Sequence, residues 1–338
     1  MRAIVTTANG DVRVMKVEQH PDPQPQTGQV LVRVKAAGLN FADILARQGL
    51  YPDGPPKPCV MGYEVSGVVE AVGDDVDQNL IGKAVIAMTR FGGQAELVAV
   101  SAAQVFAKPD ELTFEQAAAI PVNYLTAWAL LVTMGGLKKD EAVLIHNAGG
   151  GVGLAALDIA KHIGARTFGT ASTGKHEFLR ARGLDHPIDY RNQDWLPVLK
   201  ELTNGRGVEL VIDPIGGPSW KKSYQALRTT GRMGVFGISV ASASGIKGKL
   251  RALKAIAFMP RFNPIGLMNR NKGVFGLNLG HMWDEGEKVA AWTGEIMRGV
   301  AEGWINPHVD RAFPFDQIAD AHTYIESRKN IGKVVVVP

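Results

Sequence analysis

The sequence predicts an α/β protein in which a doubly wound parallel sheet is inserted in a β-rich domain built from both ends of the chain. Three observations predict this arrangement: short β-type runs fill the first third, strands and helices then alternate regularly, and a β-α-β pattern closes the chain. Strict alternation requires parallel strands joined by right-handed crossovers. We therefore expect one domain over residues 1–118 and 262–338, and an inserted domain over residues 119–261.

Length and composition agree with two globular domains. The chain has 338 residues, 46% of them hydrophobic and 21% charged, and a domain takes about 150 residues. The single cysteine, Cys59, excludes an intramolecular disulfide. The N-terminus does not resemble a signal peptide, and no apolar run is long enough to span a bilayer. These features predict a cytoplasmic protein.

The first third predicts short strands that one helix, near Phe41–Gln48, interrupts. Apolar or β-branched runs bounded by Gly, Pro or Asp place the strands at Ala3–Thr6, Val30–Ala36, Gly67–Val72, Ala84–Met88 and Ala95–Val100. From residue 115 the apolar spacing is helical, and Pro121 is expected to start or kink the helix of Glu115–Met134.

Regular alternation follows this helix. The predicted strands are Ala142–His146, Thr167–Thr170, Val208–Asp213 and Met233–Ile238, and the helices between them are Val152–Ile163, His176–Arg182 and Trp220–Leu227. A basic, glycine-punctuated insertion then extends to about Arg270. The closing pattern comprises the strand Val274–Leu277, helices at Glu285–Glu302 and Ile318–Ser327, and the strand Lys333–Val337.

The strongest motif is the buried-type strand that runs into the glycine-rich turn Asn147–Gly153. Glycines let the backbone approach a pyrophosphate, and the helix that follows offers unpaired N–H groups and a partial positive charge. Further βα units behind the turn make it a Rossmann dinucleotide site rather than a turn that only packs strand on helix. The candidate residues are Asn147, Gly150, Gly151, Val152 and Gly153.

The end of the second strand favours NADPH over NADH. An NAD site places an acidic residue there to hold the ribose hydroxyls, but this strand has no carboxylate before Glu177. Ser172 and Lys175 can instead meet a 2′-phosphate, by hydroxyl and by point charge. The alternative for Lys175 is an exposed surface lysine.

The order of elements resembles the medium-chain dehydrogenase/reductase superfamily over essentially the whole chain, which implies that the β-rich domain is GroES-like. The chain is similar to its quinone oxidoreductase (zeta-crystallin-like) branch at Asn40–Asp43, Arg47–Tyr51, Tyr124–Trp128, Asn147–Gly153 and Gly332–Val335. It is most similar to the vesicle amine transport protein homologues at Ala42–Tyr51, Gly169–Ser172, Lys175–Glu177 and His186–Tyr190.

Zinc alcohol dehydrogenases of this superfamily bind metal through a Cys, a Gly-His-Glu motif and a four-cysteine loop. This chain has Gly62-Tyr63-Glu64 in place of the His motif, Asn40–Asp43 in place of the ligand cysteine, and no four-cysteine loop. Zinc sites need clustered thiolate or imidazole ligands, so we expect no metal.

The resemblance assigns roles to residues along the chain. It implies that Lys175 and Tyr190 contact the 2′-phosphate, with Arg328 a further candidate. The residues implied along the nicotinamide are Thr126, Phe236 and Gly237, and those implied at the substrate cleft are Asn40, Asp43 and Tyr51.

Four of these assignments have plainer alternatives. Asn40 would cap the helix that follows it, and Asp43 would be a first-turn carboxylate that the helix dipole favours. Tyr51 would be a packing residue, and Tyr190 would close a strand.

These features predict a zinc-independent, NADPH-dependent reductase of quinones or α,β-unsaturated carbonyls. Negative charge would develop on the carbonyl oxygen of the acceptor, where Tyr51 or Asn40 would donate a hydrogen bond and water the final proton. Without a metal Lewis acid, simple ketones and alcohols are expected to be poor substrates.

An alternative is an NADPH-binding sensor or membrane-associated adaptor with little turnover. Eleven Lys or Arg and no acidic residue lie between Asp213 and Asp284, and the insertion 247–270 resembles a basic amphipathic helix that binds anionic lipid. The plainer explanation is a helix covering the cofactor cleft or a dimer seam.

Regularly interleaved aromatic residues, which would stack on nucleotides, are absent from the insertion, so nucleic acid is not expected. Pairing of the edge strand Val274–Leu277 with its copy predicts a homodimer.

Overall fold

The computed structural model describes residues 1–242, 250 and 253–338, and the chain divides into two compact units. Unit 1 comprises Met1–Leu125, Gly280–Gly303 and Pro307–Pro338, and unit 2 comprises Thr126–Leu279 and Trp304–Asn306. Unit 2 is therefore inserted between the two parts of the chain that build unit 1.

The elements are numbered along the chain. The strands are β1 (Arg2–Thr6), β2 (Met15–Gln19), β3 (Gln29–Leu39), β4 (Cys59–Val60), β5 (Glu64–Val72), β6 (Ala84–Met88), β7 (Leu97–Ser101), β8 (Val105–Ala107), β9 (Ala142–Ile145), β10 (Arg166–Ala171), β11 (His186–Asp189), β12 (Val208–Asp213), β13 (Leu227–Val235), β14 (Gly273–Gly276), β15 (Val309–Pro314) and β16 (Lys333–Val337). The helices are α1 (Phe41–Arg47), α2 (Phe114–Ala118), α3 (Pro121–Trp128), α4 (Gly151–Ile163), α5 (His176–Ala181), α6 (Trp195–Leu202), α7 (Pro218–Ala226), α8 (Pro264–Arg270), α9 (Gly286–Ala301) and α10 (Ile318–Glu326). Residues 253–257 are also helical.

Unit 1 is built on a sheet with the strand order β15-β16-β3-β5-β6-β8, in which β7 also pairs with β3. The long strand β3 pairs antiparallel with both β5 and β16, so the end of the chain lies beside residues near its beginning. Valines of β3, β5, β6 and β16 form the core together with Phe313 and Phe315. A smaller sheet joins β1 to β2 and β4.

Unit 2 contains a parallel sheet with the strand order β11-β10-β9-β12-β13-β14 within the described residues. All four residues of β9 are buried, as expected for a central strand covered on both faces. The helix α4 follows β9 and ends at Gly164, whose φ of 82° closes it in the left-handed conformation. The parallel sheet and the β-rich unit 1 confirm the predicted fold class.

Prolines lie in two of the elements of unit 2 that the sequence did not predict. Pro187 lies in β11, an edge strand of the sheet, where a missing N–H costs least. Pro197 lies in the first turn of α6, where no intrahelical N–H bond is required. Pro121 starts α3, as predicted.

The division between the units differs from the expected one. Strand β14 pairs in parallel with β13, so unit 2 continues to Leu279 rather than ending at residue 261. Of the basic insertion 247–270, residues 247–249, 251 and 252 lie outside the described residues. Among the helices that the structure does describe, none has the length and apolarity needed to cross a membrane.

Candidate functional site

The glycine-rich turn connects β9 to α4 as the sequence predicts. Asn147 adopts a left-handed conformation with φ of 54°, and Gly150 is the N-cap of α4. A Cβ atom at Gly153 would collide with the carbonyl oxygens of Asn147 and Ala148. Only glycine therefore lets the helix start this close to the turn. The first turn of α4, which includes Val152, contains no acidic side chain, so its N–H groups and dipole favour an anion.

A buried chain of hydrogen bonds connects this turn to the parallel sheet. We call these bonds the His146 chain. His146 Nδ1 lies 2.9 Å from Thr170 Oγ1, and its Nε2 lies 3.0 Å from Ser223 Oγ. Ser223 donates in turn to Asp213 Oδ2 at 2.6 Å. Because the Ser223 proton goes to Asp213, His146 carries its proton on Nε2 and accepts from Thr170 on Nδ1.

Burial lowers the pKa of His146, against the opposing effect of the Asp213 charge, so the ring is neutral. Thr170 Oγ1 also accepts the N–H of Asn147 at 3.3 Å. The His146 chain therefore links Asn147, the first residue of the turn, to the ends of β10 and β12. Sequence reasoning did not predict the His146 chain. The feature that could have revealed it is a single polar residue, His146, directly after the apolar strand β9.

The predicted 2′-phosphate residues of unit 2 lie at the ends of two neighbouring strands. Ala171 of β10 is in register with Asp189 of β11, so Ser172 and Tyr190 follow at equivalent positions. Lys175 ends a 3-10 turn that begins at Thr173, and a Cβ at Gly149 would lie 2.8 Å from Lys175 Cδ. The lysine stem thus lies against the glycine turn, and the structure brings Ser172, Lys175 and Tyr190 to one edge of the sheet.

The remaining predicted cofactor residues are distributed over both units. Thr126 is buried in α3, and Phe236 and Gly237 follow β13, where the Phe236 N–H donates to the Asp213 carbonyl oxygen at 3.3 Å. Arg328 belongs to unit 1, where it is exposed and follows the C-cap of α10 with a left-handed φ of 55°.

A second polar group, the Glu64 cluster, is buried in unit 1 and consists of Asn40, Asp43, Glu64 and Lys333. Lys333 is 2% exposed and Glu64 is 0% exposed, and the ammonium contacts Glu64 Oε1 directly. Lys333 Nζ also donates to Asn40 Oδ1 at 2.7 Å, and Asn40 Nδ2 donates to Glu64 Oε1 at 2.8 Å. The second Glu64 oxygen accepts the Val122 N–H at the start of α3, at 2.7 Å.

Asp43 completes the Glu64 cluster without touching solvent. Its Oδ2 accepts the Asn40 N–H at 2.8 Å, and its Oδ1 accepts from Gln94 Nε2 at 3.2 Å. Burial raises the pKa of Asp43 to about 7, although the Asn40 N–H and the Lys333 charge act against it. The structure thus brings Asn40 and Asp43 together, and it adds Glu64, Lys333 and Gln94, which sequence reasoning did not select.

Tyr51 belongs to a group of aromatic rings. Its ring lies 6.3 Å from that of Tyr63 in an edge-on arrangement, and Tyr63 lies 5.5 Å from Phe91. The Tyr63 hydroxyl is buried without a hydrogen-bond partner among the described residues, and burial raises its pKa. Tyr63 occupies the place that the sequence compared with a zinc-ligating histidine.

The described residues offer no cluster of three His, Cys, Asp or Glu side chains able to hold a metal ion. Cys59 lies instead beside Lys57, with 3.2 Å between Sγ and Nζ.

Comparisons with known proteins extend over the whole chain. Residues 26–110 match the family described as "Alcohol dehydrogenase GroES-like domain", and residues 182–336 match "Zinc-binding dehydrogenase". The rat synaptic vesicle membrane protein VAT-1 homolog is 39% identical over 345 residues, which cover 100% of this chain and 84% of that protein.

Solved structures are similar over the same extent. Escherichia coli quinone oxidoreductase complexed with NADPH superimposes with a TM-score of 0.88 at 29% identity, covering 100% of both chains. A mycobacterial protein complexed with NADPH also gives a TM-score of 0.88, at 31% identity and with 100% of both chains covered.

Proposed function

The chain belongs to the medium-chain dehydrogenase/reductase superfamily, close to the VAT-1 homologues, and on that premise we propose that it is an NADPH-dependent oxidoreductase. The observation that carries the proposal is the glycine turn of unit 2, in which a side chain at Gly153 would collide with the carbonyl oxygens of Asn147 and Ala148. Lys175 lies against this turn, and the end of β10 carries no carboxylate. Two similar proteins were solved with NADPH.

The residues present fit this cofactor. The N–H groups at the start of α4 would hold the pyrophosphate, and Ser172, Lys175 and Tyr190 would hold the 2′-phosphate. Arg328, Thr126, Phe236 and Gly237 are further proposed contacts. When bound, NADPH supplies the hydride, so the protein's own task is to position and polarise the acceptor.

The proposed acceptors are quinones or α,β-unsaturated carbonyls, whose carbonyl oxygen becomes negative as hydride arrives. The Tyr51 hydroxyl is the proposed donor to that oxygen. Asn40 has one amide N–H left after its bond to Glu64, and this N–H is a second proposed donor. Asp43 is fully buried and bonded to Asn40 and Gln94, so we assign it a positioning role.

Zinc independence is part of the proposal, because Asn40 and Tyr63 stand where the zinc enzymes have ligands. Elemental analysis of the purified protein should give well below one zinc per chain. One tightly held zinc per chain that is needed for turnover would contradict it.

Cofactor titration and turnover test the proposal together. We expect tighter binding of NADPH than of NADH by calorimetry, and loss of NADPH absorbance when a simple quinone or an enal is added. Equal affinity for the two cofactors, or no turnover across a panel of such acceptors, would reject it.

The second candidate function is an NADPH-binding sensor or membrane adaptor with little turnover. Its supporting observation is a group of apolar side chains in unit 2 that are 60–68% exposed: Leu250, Leu253, Ile256, Phe258, Ile265 and Met268. Lys254 and Arg261 lie among them in sequence, and Arg270 follows them. Flotation with anionic liposomes at low and moderate salt tests membrane binding.

The same apolar group precedes the edge strand β14, whose pairing with a second copy is our proposal for a homodimer. Light scattering at micromolar concentration tests this. A monomer that floats with liposomes would favour the adaptor, and a dimer that turns over NADPH and does not float would favour the reductase.

A further inference from the structure

The carboxylate of Asp189 joins the two loops that carry the proposed 2′-phosphate residues. Asp189 ends β11 and is 8% exposed. Its Oδ2 accepts the Thr173 hydroxyl at 2.5 Å and Asn192 Nδ2 at 2.6 Å, and its Oδ1 accepts the Arg191 N–H at 2.9 Å.

Two of these bonds fix a residue next to a proposed phosphate ligand, because Thr173 follows Ser172 and Arg191 follows Tyr190. Thr173 begins the 3-10 turn that ends at Lys175. Tyr190 lies between Asp189 and Arg191, so the Arg191 N–H that donates to Asp189 Oδ1 closes a tight turn around it. One carboxylate thus sets the positions of both the lysine and the tyrosine.

A carboxylate near a phosphate repels it, and hydrogen bonds from neutral donors reduce this repulsion without cancelling the charge. Hydrogen bonds from Thr173, from the Arg191 N–H and from Asn192 lower the pKa of Asp189 to about 2, so the group is ionised at neutral pH. Its oxygens are occupied by protein donors, unlike the acidic residue of an NAD site, which leaves its oxygens to the ribose hydroxyls. The position is also one strand away from where an NAD site carries its acid.

We propose that Asp189 is a positioning residue for the 2′-phosphate, and that it sets the preference for NADPH over NADH by holding Lys175 and Tyr190 in place. The inference rests on the proposed function, because it assumes that NADPH is the ligand.

The test measures dissociation constants for NADPH, NADH and adenosine 2′,5′-bisphosphate by calorimetry. In D189A we expect binding of NADPH and of the bisphosphate to weaken about tenfold, and binding of NADH to change less than about twofold. The variant T173V removes one of the bonds and should weaken NADPH binding about threefold. It keeps the proposal testable if D189A folds poorly. The matched control is E177Q, which removes one exposed negative charge from α5. It should leave the ratio of the NADPH and NADH dissociation constants unchanged.

A double variant separates positioning from a merely structural role. If Asp189 acts through Lys175, then D189A should lower the NADPH/NADH preference much less in a K175A background than in the wild type. D189A with an unchanged preference, or equal weakening of both cofactors, would overturn the inference while leaving the proposed function intact. A wild-type protein without preference for NADPH would overturn the proposed function itself.

Discussion

The two buried polar groups differ in how they manage charge. The His146 chain of unit 2 contains one carboxylate, Asp213, which accepts three donors from Ile215, Ser219 and Ser223, and its histidine is neutral. The Glu64 cluster of unit 1 buries two carboxylates with one ammonium, and the pKa of the second carboxylate, Asp43, is raised to about 7. The first group surrounds its carboxylate with hydrogen-bond donors, whereas burial dominates at Asp43, where the Lys333 charge acts against the raised pKa without cancelling it.

The largest effect should come from removing the one cation of the Glu64 cluster. K333M would leave Glu64 buried without its counter-charge, and we expect the free energy of unfolding to fall by about 3–5 kcal/mol. Urea denaturation measures this, and K333M/E64Q should recover part of the loss. A fall below about 1 kcal/mol would show that Glu64 gains little from the lysine.

The second effect should appear in binding rather than in stability, because Lys175 of unit 2 is a proposed ligand of the 2′-phosphate. We expect K175A to weaken NADPH binding about thirtyfold, or about 2 kcal/mol, with NADH binding little changed. K200A, which removes an exposed lysine from α6, is the matched control. Equal loss for both cofactors would place Lys175 away from the 2′-phosphate.

Breaking the His146 chain should cost less than breaking the charged cluster. S223A removes one donor to Asp213 and the acceptor of His146 Nε2–H, and we expect a loss of about 1–2 kcal/mol in thermal or urea unfolding. A loss as large as that of K333M would mean that the two groups do not differ as described.

The smallest effect concerns pH. The folded-state pKa of Asp43 lies above its ordinary value of 3.8, so its contribution to stability is fully present below about pH 4 and is lost as pH rises through about 7. The variant D43N replaces this carboxyl group with an amide that does not titrate, so it serves as the reference. Between pH 6 and pH 7, the free energy of unfolding of the wild type should therefore fall by about 1 kcal/mol relative to D43N. Parallel pH profiles of the two proteins would contradict the raised pKa.

Local patterns predicted most of unit 2, because its elements are contiguous in sequence. The apolar run of β9, the glycine turn and the stripe of α4 each carry their own signal within about one turn or strand. Where prolines interrupt that signal, as in β11 and α6, the pattern failed although the structure tolerates them.

Long-range pairing explains what the sequence could not predict in unit 1. Lys333 reaches Glu64 across 269 positions, and no local pattern specifies that β16 lies beside β3. Asn40 and Asp43 were selected from a motif, yet the partners that fix them come from β5, β16 and the segment at Gln94. The proposed role of Asp189 was likewise not predicted, because two of its donors are side chains three and sixteen residues away.

The insertion of unit 2 into unit 1 has a consequence for synthesis on the ribosome. All but three residues of unit 2, Trp304–Asn306, are continuous in sequence, so this unit can assemble as soon as residues up to 279 have emerged. The sheet of unit 1 waits for β15 and β16, and until Lys333 is translated Glu64 has no ammonium to neutralise it. Ribosome profiling combined with limited proteolysis should therefore find the middle of the chain protected before its beginning.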